Sequence, residues 1–315
     1  MDKSQVVISV NSLEKSYQGS KVLRGIHFTV TKGSIFALLG SNGAGKTTTV
    51  RILSTLIKPD GGSAAVCGYD VIRESHKVRE CISLTGQYAA VDELLTGREN
   101  LRIIGALHHL RDRNKRADEL LDAFRLTDAA DRRVSTYSGG MRRRLDLAMS
   151  MLGNPQVIFL DEPSTGLDPQ SRLSMWRMIR SLAESGVTIF LTTQYLEEAE
   201  QLADHIAILN DGVIAAEGTP DTLKENLSQG VVELTFYDDN GRTRALELLK
   251  EYQMIPDKNI PTVNIITDGS VKQLADIMNR LNHADILLSG FTQKRPTLQE
   301  VFLLLVGENE GGGYQ

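Results

Sequence analysis

Gly40-Ser41-Asn42-Gly43-Ala44-Gly45-Lys46-Thr47 fits the pattern G-x-x-x-x-G-K-[ST] at every required position. Its flanks constrain the fold further. Ser34–Leu39 (SIFALL) is short and almost wholly apolar, as a buried parallel strand requires, and Thr47–Ile57 spaces Val50, Leu53, Leu56 and Ile57 along one helical face. A strand, a glycine-rich turn and a helix N-terminus together make an anion site. The glycines let backbone N–H groups point inward, the helix dipole favours negative charge, and the lysine reaches the terminal phosphates. The stretch therefore predicts an α/β core that binds a nucleoside triphosphate.

A chain of 315 residues, 41% hydrophobic and 24% charged, has room for that core and a second domain. The net charge of −5 argues against a dedicated nucleic-acid binder, which carries a basic excess. Cys67 and Cys81 match neither a disulfide framework nor a metal-ligand spacing, and read as small buried hydrophobes in a reducing compartment. The start, MDKSQVVISV, lacks the apolar core of a signal peptide, and no apolar window is long enough to span a bilayer. Work at a membrane is expected to need another chain for the spanning.

Residues 6–30 alternate short β-type runs with turns, which predicts an antiparallel flank on the core. Tyr17, between two of these runs, either stacks on a purine ring or packs at the edge of the core; spacing alone leaves both open. Gln87 closes the apolar run Cys81–Thr85, within reach of a metal or its water beside the phosphate site. Residues 93–134 read as a helical insertion, with Leu94, Leu101, Ile104 and Leu107, then Leu120, Leu121 and Phe124, at helical spacing. The basic cluster at Arg111, Arg113, Lys115 and Arg116 reads as a solvated helix face.

Ser138-Gly139-Gly140 opens a second helix, Met141–Leu152, with Ser138 a suitable N-cap and the helix end a second anion site; a tight structural turn accounts for the same residues. Arg142, Arg143 and Arg144 then crowd the end of the helix that the dipole disfavours for cations, which points to a negatively charged neighbour. Val157–Leu160 (VIFL) is a buried strand ending in Asp161-Glu162. Carboxylates at the C-terminal edge of a parallel strand sit where α/β sheets bind ligands. Asp161 suits holding Mg²⁺ beside Thr47, and Glu162 suits orienting or deprotonating a water. A further strand, Val187–Leu191, leads to Thr192-Thr193-Gln194, and Asn210-Asp211-Gly212 marks a hairpin. From about residue 230 the pattern changes to strands at 231–236, 262–266 and 286–290 with amphipathic helices at 243–253 and 270–282 between them, a small α+β domain in βαβαβ order.

Together these residues resemble the ATP-binding subunit of ABC transporters, in the drug-resistance exporter branch. Gly40–Thr47 is similar to the Walker A loop, Gln87 to the Q-loop, Ser138-Gly139-Gly140 to the signature, Val157–Asp161 to Walker B, Glu162 to the catalytic glutamate and Ser164–Asp168 to the D-loop. Tyr17 is similar to the adenine-stacking aromatic. The C-terminal module and its ending, Arg295–Val306, resemble the same branch less specifically. Two departures stand out: the signature reads Tyr-Ser-Gly-Gly-Met, and Gln194 replaces the switch histidine, so that position cannot titrate near neutrality.

The resemblance implies an α/β P-loop NTPase core of the ABC ATPase type over residues 1–220, with an antiparallel flank and a helical subdomain at about 88–136. A linker at 221–230, a C-terminal accessory domain at 231–306 and a disordered tail at 307–315 would follow. It implies ATP and Mg²⁺ held by Tyr17, Gly40, Ser41, Asn42, Gly43, Ala44, Gly45, Lys46, Thr47, Thr48, Gln87, Ser138, Gly139, Gly140, Asp161 and Asp168, with Glu162, Gln194 and Lys46 catalytic. It also implies a homodimer in the ATP-bound state, a separate ABC-2-type permease, no nucleic-acid partner, and a peripheral place on the cytoplasmic face of the membrane. Importer ATPases and soluble ABC ATPases of DNA repair or ribosome function are the competing readings.

Overall fold

The computed structural model describes residues 5–86, 89–226, 230–256, 261–294, 297–299 and 301–302, which form two compact units, Met1–Pro220 and Asp221–Gln315. The first unit opens with two twelve-residue strands, β1 (Val6–Tyr17) and β2 (Ser20–Thr31), longer than the short runs expected. β3 (Ile35–Leu39) leads through the glycine-rich loop into α1 (Lys46–Leu53). Next come β4 (Gly61–Val66), β5 (Tyr69–Asp70), α2 (Ser75–Cys81) and β6 (Ile82–Thr85), then the helices α3 (Gly97–Leu107) and α4 (Arg113–Ala123). α5 (Gly139–Ser150), β7 (Val157–Asp161), α6 (Pro169–Glu184), β8 (Thr188–Thr193), α7 (Leu196–Leu202), β9 (His205–Asn210) and β10 (Val213–Gly218) complete the unit.

Two sheets result. An antiparallel one runs β2-β1-β4-β5; a larger one runs β10-β9-β3-β8-β7-β6, with β9 to β6 parallel and β10 antiparallel at the edge. β3 and β7 are buried at every position because helices cover one face and the antiparallel sheet the other, so their sequences read as unbroken apolar runs. Between the sheets, Phe28 stacks on Phe36 with ring centroids 5.1 Å apart, and Phe36 on Phe190 at 5.3 Å. Such pairs contribute ~1 kcal/mol each beyond area burial. The β9–β10 turn places Asp211 and Gly212 at φ 45° and 77°, the left-handed pair that a two-residue hairpin needs.

In the helical insertion, Thr96 caps α3 in a reciprocal capping box with Glu99. Leu101 is fully buried there, but Leu94 and Leu107 are 77% and 70% exposed, so the apolar stripe seen in the sequence is not all core. Cys67 and Cys81 are half-buried rather than buried, and the Cys67 thiol is pushed up to about 12 by burial and by its neighbour Cys81.

The second unit begins with α8 (Pro220–Asn226) and continues β11 (Gly230–Phe236), α9 (Asp239–Leu248), β12 (Met254–Pro256), β13 (Thr262–Thr267), α10 (Val271–His283) and β14 (Leu288–Lys294). All of its pairings are antiparallel, in the order β12-β13-β11-β14. The order of elements is therefore βαββαβ, a split βαβ, and not the expected βαβαβ. The difference is β12, a three-residue edge strand ending in Pro256, too short to show a period of two. Val232, Leu234 and Phe236 alternate inward on β11 and share one core with Leu249, Val263, Ile277 and Leu281. The expected tail at 307–315 lies outside the described residues.

Candidate functional site

Parallel register brings the ends of four strands to one edge of the larger sheet. Leu39 of β3 pairs with Thr193 of β8, Thr192 with Asp161 of β7, and Leu160 with Thr85 of β6. The Gly40 N–H donates to the Thr193 carbonyl at 3.2 Å. The glycine-rich loop, Gly86, Asp161-Glu162 and Gln194 thus all leave the sheet at its C-terminal edge, where open α/β sheets bind ligands.

The loop needs glycine at the start of α1. Gly45 has φ 112°, and a Cβ there would lie 2.7 Å from Leu23 Cδ2 and 3.1 Å from the Val22 carbonyl. Lys46 is buried, and its Nζ donates to the Gly40 and Ser41 carbonyls at 3.0 Å each while lying 3.4 Å from Glu162 Oε1. Thr47 Oγ1 donates to Asp161 Oδ1 at 3.2 Å, and Thr192 Oγ1 donates to the same oxygen at 2.5 Å. Asp161 and Glu162 are only 7% and 8% exposed. The Glu162 N–H donates to the Thr192 carbonyl and to its Oγ1, both at 3.1 Å, and Thr165 Oγ1 donates to Glu162 Oε2 at 3.3 Å. Val22, Asn42, Gly43, Gly45, Lys46, Thr47, Thr48 and Glu162 line one open cleft of about 330 Å³, with Ala44 buried beneath the loop.

A buried lysine facing a polar cleft supplies fixed positive charge for phosphate oxygens. The Thr47 hydroxyl and Asp161 carboxylate, 3.2 Å apart, are hard oxygen donors of the kind that Mg²⁺ takes rather than a softer metal. Glu162 supplies an acceptor on the same cleft.

The other sequence-derived residues are placed apart. Tyr17 ends β1, 43% exposed, with Lys15 Nζ 5.6 Å from its ring centroid, and it does not line the cleft. Ser138 is the N-cap of α5, accepting from the Met141 N–H at 3.3 Å. Gly139 lines a second cleft of about 320 Å³ with Val91, Arg142, Arg143 and Thr165–Leu167. Gly140 packs against α6; a Cβ there would lie 2.7 Å from Ser171 Oγ. Asp168 caps α6, accepting from the Ser171 N–H at 2.9 Å and Ser171 Oγ at 2.5 Å, and these bonds hold its carboxyl below the ordinary value. Gln194 follows β8, half-buried. Gln87 lies outside the described residues. A separate cavity of about 660 Å³, lined by Lys32, Ile35, Arg180 and Asp204, sits by the N-terminal end of β3, away from this chemistry.

Two contributors, Thr192 and Glu198, escaped the sequence reading, and a third, Arg143, was seen only as one of three arginines at the disfavoured end of a helix. Thr192 fixes both carboxylate-bearing residues; the signal was a Thr-Thr pair closing an apolar strand. Glu198 is fully buried, accepts from Trp176 Nε1 at 3.0 Å, and is raised by burial. Arg143 is buried against backbone carbonyls and Asp146. The negative neighbours expected for the arginines are thus mainly carbonyl oxygens: Arg144 also reaches those of Phe124 and Arg125, and Arg142 pairs with Glu93 at 2.8 Å.

The profile of the ABC transporter family matches residues 23–165. A daunorubicin resistance ATP-binding protein of Streptomyces coeruleorubidus is 44% identical over 97% of this chain and 98% of its own length. A Nod factor export ATP-binding protein of Rhizobium sp. is 36% identical over 96% and 98%. A solved dimeric, post-hydrolysis ATP-binding cassette bound to ADP and phosphate superposes with a TM-score of 0.61 at 24% identity, covering 67% of this chain and 98% of that one, a likeness of fold.

Proposed function

The chain belongs to the ABC transporter ATP-binding family, and from that premise we propose that it is the ATP-hydrolysing subunit of an exporter for drug-like or other amphiphilic molecules. The observation that carries the reading is the cleft lined by Lys46, Thr47 and Glu162, with Asp161 bonded to the Thr47 hydroxyl beside it. Export is favoured over import because the relatives reported above are named for drug resistance and for export. Among the described residues no helix is long and apolar enough to cross a membrane, so a separate permease, of the ABC-2 type by resemblance, carries the cargo. This chain then works from the cytoplasmic face of the membrane.

Phosphoryl transfer asks the protein for positioning and charge stabilisation more than covalent chemistry. Lys46 holds the terminal phosphates. Thr47 and Asp161 would hold Mg²⁺, which would supply charge neutralisation at the phosphates. Glu162, its carboxylate steadied by Thr165, aims the attacking water, and Gln194 donates to the γ-phosphate. Tyr17 stacks on the adenine at the edge of the site.

Ser138 and Gly140 are outside the Lys46 cleft of their own chain. A head-to-tail homodimer gives them a partner's γ-phosphate, with a two-fold axis making both sites equivalent. The reading is tested by recovering the Glu162→Gln chain from native membranes in Mg·ATP and identifying bound proteins by mass spectrometry. A single membrane-spanning partner is expected. Ribosomal or DNA-repair proteins without any membrane chain would contradict it.

A further inference from the structure

Arg143 is the second arginine of three at the start of α5, and it alone of them is buried. Its Nε donates to the Pro163 carbonyl at 3.0 Å, and Nη2 lies 3.5 Å from the carbonyls of both Asp161 and Glu162. Its other arm, Nη1, donates to the Gly86 carbonyl at 2.7 Å. Three successive carbonyls thus converge on one planar cation, a geometry a guanidinium fork can meet and a lysine ammonium cannot.

The turn so gripped is strained. Glu162 has φ 51°, left-handed for a residue with a side chain. Such a conformation persists only where its surroundings over-determine it. Thr192 holds the Glu162 N–H from one side, and Arg143 gathers the carbonyls on the other.

The same helix face reaches a second element. Asp146, one turn on, lies 3.4 Å from Arg143 Nη1 and accepts from the Ala90 N–H at 3.1 Å. Gly86 and Ala90 are thereby both anchored to α5, and Gln87 lies between them in the chain.

We propose that Arg143 is a positioning residue for ATP hydrolysis: its guanidinium fixes the turn that aims Glu162 and ties that turn to Gly86 directly and to Ala90 through Asp146. The proposal rests on the reading of Glu162 given above. It places no direct contact between Arg143 and nucleotide, so loss of Arg143 slows the chemical step and spares ATP binding.

The test compares Arg143→Gln, Arg143→Lys and Glu162→Gln in the full chain, measuring kcat and KM for Mg·ATP and ATP affinity by titration. Arg143→Gln should lower kcat by about tenfold or more, with KM and affinity moving less than about threefold. Arg143→Lys, keeping the charge without the fork, should fall between it and the parent. Where Arg143→Gln does not fold, Asp146→Asn must lower kcat with ATP affinity kept. A kcat within about twofold of the parent in Arg143→Gln, or in Asp146→Asn where that variant stands in, with Glu162→Gln impaired, overturns this proposal alone. An unimpaired Glu162→Gln removes its premise and overturns both readings.

Discussion

Two helix N-termini in the first unit were expected to bind anions, and they are furnished differently. At α1, Lys46 and Thr47 meet Asp161 and Glu162 of the same chain, and the cluster is buried around an open cleft. At α5, the Ser138 hydroxyl is engaged in the helix cap and Gly139 lines a different cleft. One end is a complete half-site. On the proposed reading the other end completes the site of a second copy, which would couple catalysis to association.

Substitutions at the two ends separate them. Lys46→Ala should weaken ATP binding by about 100-fold in titration, because a charge-assisted contact to phosphate is lost. Near-normal affinity would break the assignment of that end. Ser138→Ala should lower turnover by about tenfold with single-chain ATP affinity unchanged, while loss of the cap costs about 1 kcal/mol of stability in denaturant unfolding. An affinity loss as large as that of Lys46→Ala would mean that both ends serve one chain's site.

A pH test reaches the helix between them. Burial raises the Asp146 carboxyl to about 6, opposed by the Arg143 guanidinium and the Ala90 N–H. The fully buried Glu198 is the further carboxylate whose charge Arg143 feels besides Asp161. A raised carboxyl takes up a proton on folding, so its contribution to stability falls as pH rises from about 4 to about 6 and is then flat. Asp146→Asn cannot ionise; the stability of the parent relative to this variant should decline over that window in paired denaturant titrations. A pH-independent difference would refute the assignment. Smallest of all, Gln194→His should leave turnover within about threefold of the parent, or raise it, in a steady-state assay. A large loss would give the glutamine a role of its own.

The phosphate loop was legible because its glycines and lysine answer to backbone geometry that few other sequences satisfy. Asp161-Glu162 was legible because an acidic pair closing four apolar residues has few bland explanations. Thr192 was not legible, and Arg143 was legible only as one of three arginines in want of a negative neighbour, since the part each plays depends on register and burial that local spacing does not encode. A threonine in a strand and an arginine on a helix have surface readings by default. In the second unit, periodicity revealed the long elements and missed β12, which pairs by only three residues.

The central claim is that two copies close around nucleotide with Glu162 at the catalytic position. It is tested most directly by light scattering of Glu162→Gln at saturating Mg·ATP, beside the same chain also carrying Lys46→Ala. Twice the single-chain mass is expected for the first and the single-chain mass for the second. A Glu162→Gln chain that remains single at saturating nucleotide would contradict it.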